Sequence, residues 1–429
     1  MVSWEDRKDA PLSTKLPQNA FVHLHLHSEY SLLDGGNKIS NLLDRVKALG
    51  MDSVAVTDHG NLFGAFEFYT KATSVGIKPI LGIEAYVAIG SRTERKPTGI
   101  RDGGFHLVLL AENNLGWRNL VKLSSDSYLN GFYYKPRMDR ETLAKWSDGI
   151  IAINGHLGSS IAYHLCNFVE DGGKEHWESA KEEAMWHAKT FSPNENGEPR
   201  FYIELQRHDV QEQQAINPYL IKLAKELDLP VVCDNDAHFL DEKDWDTHDT
   251  LCCVSMQKQK GDNERLVYSR ELYVKSPEQM VDLFEDIPEA IENSVKIAQR
   301  CDVTFDLTKS HAPVVRVTGP SAIRPYKNGD VTAWFKDECQ RFTLHPYDSQ
   351  IHTDVSEDEL KKDCDRALRC LCEAGLVWRY GVDGITEEIR TRLERELRIL
   401  SDKNISAYFL IVWDFVDWAR QKNIPANAR

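Results

Sequence analysis

The spacing of apolar positions predicts alternating short strands and helices from about residue 20 to residue 240. Phe21-Val22-His23-Leu24-His25-Leu26 alternates with period two, as a strand does. Ile39, Leu42, Leu43, Val46 and Leu49 then share one helical face, with Gly50 where a C-terminal cap belongs. A second strand is predicted over 53–57, a helix over 61–75 closed by Gly76, a third strand over 78–88 and a fourth over 106–110. Helices follow over 114–129 and 216–227, and strands over 149–154, 201–205 and 230–233. Repeated βα units of this length imply an α/β fold with a parallel sheet. About seven of them can close into a barrel of roughly 250 residues.

Towards residue 303 and beyond it the texture changes. Ser276-Pro277-Glu278 and Asp286-Ile287-Pro288-Glu289 predict two last helix starts, each with a capping residue and a proline in the first turn. The stretch 311–353 is rich in Pro, Gly, Asn and Asp without sustained periodicity, and reads as an irregular linker or insertion. Helices resume over 357–380 and 386–402. A last one over 407–421 is apolar nearly all round and asks for burial on every side. The chain ends soon after, at Arg429, and reads as a fragment. The division is an extension over 1–19, a barrel over 20–303, a linker over 304–355 and a helical part over 356–429.

Composition narrows the class. A chain of 429 residues with 41% hydrophobic and 28% charged residues is an ordinary globular composition and excludes disorder. Its apolar run over 407–413, ended by Asp414, is far too short to span a membrane, and the charged first fifteen residues carry no signal-peptide pattern. Nine cysteines without paired CxxC spacing read as reduced thiols of a cytoplasmic protein. A formal charge of −15 argues against a strong hold on nucleic acid.

The chemistry is carried by histidine, of which there are fifteen. His23, His25 and His27 fall on one face of the first strand, and Asp34 follows. Thr57-Asp58-His59-Gly60-Asn61 closes the second strand; Gly155-His156-Leu157-Gly158 and Asn235-Asp236-Ala237-His238 close two others. Glu84 interrupts an apolar strand, where a carboxylate needs a partner. In parallel barrels the strand C-termini meet at one mouth. His25, His27, His59, His156, Asp236 and His238 sit at such ends, whereas His106 precedes its apolar run. Each motif alone has a structural reading: a turn at His59, an arginine partner for Glu84, a helix cap at His238. Together they predict a site of mixed imidazole and carboxylate ligands for two or three divalent ions, Zn, Mn or Fe. Such ions, about 4 Å apart, cleave phosphate esters. His23, His164, His176, His187 and His248 read as structural or surface residues, and His208 can line the mouth. Tyr133, Tyr134, Lys135 and Arg137 interleave aromatic and basic groups; either they stack and clamp a single strand of nucleic acid, or the tyrosines are the core of a rim loop. Arg92, Arg95 and Lys96 make a basic loop, a DNA contact or solvated surface.

His25-x-His27-x6-Asp34, the Asp58-His59-Gly60-Asn61 motif, Glu84, His106 and Asn235-Asp236-Ala237-His238 resemble the metal site of the PHP (polymerase and histidinol phosphatase) family. The wider wording, from Phe21 to Gly35, Asp58 to Ala65, Gly131 to Arg137 and Tyr408 to Asp414, is similar to the C-family replicative polymerases of bacteria, the DNA polymerase III alpha subunits. The likeness covers nearly all of 21–419 apart from 311–353. It implies a distorted (β/α)7 PHP barrel followed by a mostly helical segment that begins the polymerase palm. It also implies nine ligands: His25, His27, Asp34, His59, Glu84, His106, His156, Asp236 and His238. The family usually has Cys where this chain has His156, a change that can shift metal preference. The activity implied is a metal-dependent 3′–5′ exonuclease that proofreads DNA at the primer 3′ end, with Asp58 or His208 as candidate proton shuttles. The polymerase carboxylates of the family lie beyond this chain, which is not expected to polymerise. Implied partners are DNA, the remainder of the alpha subunit and, through missing regions, the sliding clamp and other replisome subunits, in the cytoplasm at the nucleoid. Two other readings stay open: a catalytically silent module that holds metal for stability, and a free-standing phosphatase on a small ester. The ions would overcompensate Asp34, Glu84 and Asp236, so the charge of −15 excludes this piece only as the main holder of DNA.

Overall fold

The computed structural model describes residues 20–100, 103–307, 313–347 and 354–426. The expected extension over 1–19 lies outside them. The chain divides into two compact units, Met1–Phe305 and Asp306–Arg429.

The first unit alternates strands and helices as α1 (Ile39–Ala48), β1 (Ser53–Val56), α2 (Ala65–Ser74), β2 (Lys78–Val87), β3 (Phe105–Ala111), α3 (Asn114–Leu129), β4 (Arg137–Met138), α4 (Arg140–Lys145), β5 (Ile150–Asn154), α5 (Ser160–Asp171), α6 (Lys174–Thr190), β6 (Phe201–Gln206), α7 (Gln211–Glu226), β7 (Val231–Asp234), α8 (Trp245–Met256), α9 (Pro277–Leu283) and α10 (Pro288–Arg300). The sheet order is β1-β2-β3-β5-β6-β7, with β4 pairing to the end of β2. β1/β2, β5/β6 and β6/β7 are parallel, but β3 runs antiparallel to both of its neighbours. The all-parallel expectation fails here for a simple reason. A parallel return needs a crossover, usually a helix, and among the described residues none stands between β2 and β3.

The predicted first strand is not a regular strand either. The stretch 21–28 lies between β1 and β7 and closes the barrel, with Ala55 N–H donating to the His23 carbonyl and His27 N–H to the Ala237 carbonyl. Its ladder is broken because Asp234 Oδ2 accepts from both Leu24 N–H (2.6 Å) and His25 N–H (2.9 Å). The chain bends at His25, so the period-two rule stops there and His23 does not join His25 and His27. Its Nε2 meets the Lys275 carbonyl at 3.0 Å instead.

Two apolar layers hold the barrel. The larger lies between sheet and helices, from Phe21, Leu42 and Phe68 round to Phe201 and Leu220. The smaller includes Val22, Leu24, Ile80, Val108, Ile151 and Val232, joined by Ile297 and Ala298 from α10 and by Cys301 just after it. Ser276 caps α9 as expected, whereas Asp286 does not cap α10 and pairs with Arg207 (Nη2 to Oδ2, 2.9 Å).

The second unit packs β8 (Val315–Thr318), α11 (Val331–Cys339), β9 (Thr343–Pro346), α12 (Glu357–Tyr380), α13 (Glu387–Asp402) and α14 (Ser406–Gln421). Here the reading of an irregular linker is corrected. β8 and β9 pair antiparallel, and Val315, Val317, Phe335, Cys339 and Phe342 pack with Ala367, Leu371 and Leu410. Strands of four residues, one apolar position in two, are too short to register as periodicity. The all-round burial expected for α14 is not found within this unit: Tyr408, Phe415 and Trp418 are more than half exposed. All nine cysteines are free thiols. Among the described residues no helix is long and apolar enough to cross a membrane.

Candidate metal centre

The strand ends and connecting loops of the first unit gather His25, His27, Asp34, His59, Glu84, His106, His156, Asp236 and His238 around one cavity of about 420 Å³. Glu84 stands at the middle. Its Oε1 is 2.9 Å from His106 Nδ1 and 3.0 Å from His156 Nε2, its Oε2 is 3.4 Å from His27 Nε2, and His59 Nδ1 closes on the same oxygen. Asp236 Oδ1 lies 3.3 Å from His25 Nε2 and 3.1 Å from His27 Nε2. Asp34 Oδ1 lies 3.3 Å from His59 Nε2. The antiparallel course of β3 explains His106: its N-terminal end reaches the same mouth, pairing His106 with Tyr86 across from β2.

The tautomers are fixed from outside. His25 Nδ1–H donates to Glu204 Oε1 (2.9 Å) and His156 Nδ1–H to Glu204 Oε2 (3.1 Å). His27 Nδ1–H donates to Ser31 Oγ (2.9 Å), whose own hydroxyl donates to Asp58 Oδ1 (2.8 Å), and His238 Nδ1–H donates to the Asp236 carbonyl (2.7 Å). In all four rings Nε2 is then the nitrogen turned inward, and it offers a lone pair once the ring gives up its second proton. The Nε2 atoms of His25, His27, His156 and His238, together with Asp34 Oδ1, Glu84 Oε2 and Asp236 Oδ1, are buried and have no hydrogen-bond partner. Buried polar atoms are rarely left so. Outer acceptors that orient ligating imidazoles are the usual support of a metal site. Ligand atoms of His27, His59 and His238, of His25, His27 and Glu84, and of His59, Glu84 and His106 approach within 4.8 Å, close enough to hold ions that share ligands.

Electrostatics agree with this geometry. Burial pulls His27 down to about 3, helped by the charges of His59 and His238. Burial also opposes charge on His156, but Glu204 and Glu84 outweigh it and raise it to about 9. Burial likewise opposes ionisation of Glu84, and the surrounding imidazoles hold its carboxyl well below the usual range. Without a metal, protons hold this cluster together; a divalent ion can replace them.

The other predicted residues fall differently. Asp58 is not on the cavity wall: burial raises its carboxyl, which accepts from Ser28 N–H, Ser28 Oγ and Ser31 Oγ and so braces His27 from behind. As a candidate proton shuttle Asp58 does not face the cavity and reaches His27 only through Ser31. His208 does line the cavity, its Nε2 meeting Gln206 Oε1 at 3.0 Å and its Nδ1 without a partner. Arg137 is 1% exposed and spends its guanidinium on the carbonyls of Gly131, Arg92 and Glu94, so it is a loop tie and no DNA contact. Tyr133 packs beneath it, 5.2 Å from the guanidinium. Tyr134 is exposed, and Lys135 reaches the cavity wall with Nζ 3.2 Å from Tyr86 Oη. Arg92 is held by Asp126 and Asp139.

Sequence reasoning missed Glu204, though it interrupts the apolar run of β6 as Glu84 interrupts β2. It also missed Tyr268, whose hydroxyl donates to Asp34 Oδ2 (2.6 Å) and leaves Oδ1 turned toward His59; a lone tyrosine in a loop gives no signal. Gly155, at the start of the motif that delivers His156, passes so close to β6 that a Cβ would lie 2.4 Å from the Glu204 carbonyl.

The PHP domain family matches residues 23–208, and the family described as the bacterial DNA polymerase III alpha NTPase domain matches residues 366–429. The DNA polymerase III subunit alpha of Borreliella burgdorferi is 38% identical over 413 residues, 96% of this chain and 31% of that protein. That of Campylobacter jejuni is 38% identical over 411 residues, 95% of this chain and 32% of that protein. The chain thus spans about a third of the length of these relatives. A solved structure described as a putative metal-dependent phosphoesterase from Bifidobacterium adolescentis is 13% identical, covers 62% of this chain and 94% of its own, and has a TM-score of 0.31.

Proposed function

The chain belongs to the bacterial DNA polymerase III alpha family, joining a PHP domain to part of the alpha domain, and we propose that its barrel is a metal-dependent 3′–5′ exonuclease acting on primer ends. The observation that carries this reading is the ring of bare, buried Nε2 and carboxylate oxygen atoms, aimed inward by Glu204, Ser31 and the Asp236 carbonyl.

His25, His27, Asp34, His59, Glu84, His106, His156, Asp236 and His238 would hold two or three divalent ions, Zn, Mn or Fe. Ions bound there supply an activated water and neutralise charge on the scissile phosphate. The chain's own groups do the rest. His208, donating Nε2–H to Gln206, presents Nδ1 to the cavity as a proton acceptor. Lys135 on the wall attracts the phosphodiester. Tyr268 holds Asp34 by one oxygen and keeps the other turned inward. DNA, the remaining alpha subunit, the sliding clamp and other replisome subunits are the partners this reading assigns, at the nucleoid.

The test is direct. The 429-residue chain, loaded with manganese or zinc, should shorten a 5′-labelled single strand or mismatched primer from its 3′ end, and EDTA or His59→Ala should abolish this. Intact DNA, with His59→Ala lowering only the melting temperature, would make the site a structural one. Phosphate released from small esters while DNA is ignored would make it a small-ester phosphatase.

A further inference from the structure

Beside the metal cavity an aromatic row is held in solvent. Phe63 and Tyr128 have ring centroids 5.8 Å apart, and Tyr128 and Phe132 6.1 Å apart. Phe63 is 59% exposed, Phe132 47% and the neighbouring Leu129 80%. Large apolar groups clustered on a surface mark binding sites. Their exposure is built in. Asn61 Oδ1 accepts Phe63 N–H at 3.0 Å while its Nδ2 donates to the carbonyls of His59 and Tyr30. The loop that carries His59 into the cavity therefore also fixes Phe63 outside it. At the other end of the row, the turn after α3 holds Tyr134 at φ 60, a left-handed backbone that costs a tyrosine energy, with its ring 82% exposed. Lys135 follows and turns onto Tyr86 Oη at the cavity wall. Two short stretches, 59–63 and 132–135, thus join the row to the metal cavity.

We propose that Phe63, Tyr128 and Phe132 form a stacking track that leads single-stranded DNA to the metal cavity, with bases on the rings and phosphates toward Lys135. The inference rests on the exonuclease reading and extends it to the path of the substrate. Stacking suits a substrate of any sequence, because every base offers a π-face. It also suits a chain of net charge −15, which gains little from general attraction to phosphate and must find affinity elsewhere. The lysine between rings and cavity, and the continuity of the row with that cavity, favour a nucleic acid strand over a protein partner.

The test is the fluorescence anisotropy of a labelled oligothymidylate of about a dozen nucleotides, titrated with the 429-residue chain in EDTA so that nothing is hydrolysed. The double variant Phe63→Ala, Phe132→Ala should bind at least about thirtyfold more weakly, the order of two lost base–aromatic stacks. Phe63→Trp should keep wild-type affinity, and Leu129→Ala, exposed but not aromatic, should change nothing. Unchanged affinity in the double variant overturns the track. So does a change in sedimentation of the double variant without a change in oligonucleotide affinity, which would assign the row to a protein contact. Hydrolysis of bis(p-nitrophenyl) phosphate with manganese reads the metal centre separately. The double variant should retain it, and its absence from the wild type would strike the exonuclease reading without touching the binding result.

Discussion

Two buried carboxylates, one in each unit, show how differently a folded chain can use the same burial. Glu338 on α11 is fully buried, and Arg324 and Arg341 close on its two oxygens. Glu84 on β2 is 2% exposed, and among the described residues its ion pairs are all with histidines: His25, His27, His59, His106 and His156. Guanidinium groups satisfy a carboxylate outright and permanently. Imidazoles do so only while they carry protons, and they offer lone pairs once the protons leave. The core of the small unit is therefore complete as it stands, whereas the barrel mouth leaves donor atoms that a divalent ion can take in exchange for protons.

Removing the central carboxylate breaks this contrast most severely. Glu84→Ala should lower phosphodiester hydrolysis by more than about a hundredfold, beyond the loss typical of outer groups. It should also abolish the stabilisation that saturating manganese confers, about 4 kcal/mol at a thousandfold excess over Kd. Glu338→Ala should leave both untouched. Calorimetry with and without manganese, beside a hydrolysis assay, reads the pair. Metal stabilisation surviving in Glu84→Ala would show that the mouth is satisfied like the other core.

Glu204→Gln is subtler, because Glu204 orients His25 and His156 through their Nδ1 protons without facing the centre. Metal affinity, measured by competition with a chromophoric chelator, should fall by about 10- to 100-fold with the fold unchanged. Unaltered affinity would reduce Glu204 to a core residue. In the small unit, the double variant Arg324→Ala, Arg341→Ala strands Glu338 in the core. We expect a loss of about 2 kcal/mol in urea unfolding, below the full cost for a buried pair because Arg324 is half exposed. Adding Glu338→Gln should restore most of it; no recovery would mean that the arginines act through packing and not through charge.

These contrasts also mark what the sequence could tell. Elements with long periodicity were legible almost to the residue, as in α3 and α12. Of the nine residues round the cavity, His25, His27, His59, His156, Asp236 and His238 were legible as types at strand ends and Glu84 as a carboxylate inside an apolar strand, whereas Asp34 and His106 entered the ligand set through the family resemblance. What escaped was set by tertiary hydrogen bonds. The bend at His25 depends on Asp234, more than 200 residues away in the chain, and no local rule foresees it. The reversal of β3 was legible in principle, because the sequence pattern offers no helix between the third and fourth strands. Arg137 looked like a DNA contact because burial of a cation depends on three carbonyls, two of them, of Arg92 and Glu94, brought in by another loop.

The finest distinction between the two regions is their response to pH. In the metal-free barrel, against the pull of burial, His25 and His59 are raised well above the ordinary histidine value and His156 is raised to about 9. Their unfolded value is about 6.5. Such pairs stabilise the fold fully below about pH 6.5 and cease to do so as pH rises through about 9. Glu338 has the opposite sense. Burial opposes its charge, Arg324 and Arg341 prevail, and its carboxyl is held below the ordinary value. Its contribution is present above an unfolded value of about 4.3 and is lost only as pH falls through the folded value. Between about pH 6.5 and about 7.5, below the range where unfolded thiols ionise, the metal-free barrel should therefore lose stability while the small unit stays level, by at most about 1.4 kcal/mol per pH unit for each proton. Metal reverses the slope, since each ligating imidazole must be deprotonated and loading releases protons, so apparent affinity should fall as pH drops from 9 toward 6. Thermal scans over this range, with and without manganese, measure both signs at once. A metal-free barrel equally stable at both ends would mean that its carboxylates are not held by charged imidazoles, and a metal affinity indifferent to pH would remove the histidines from coordination.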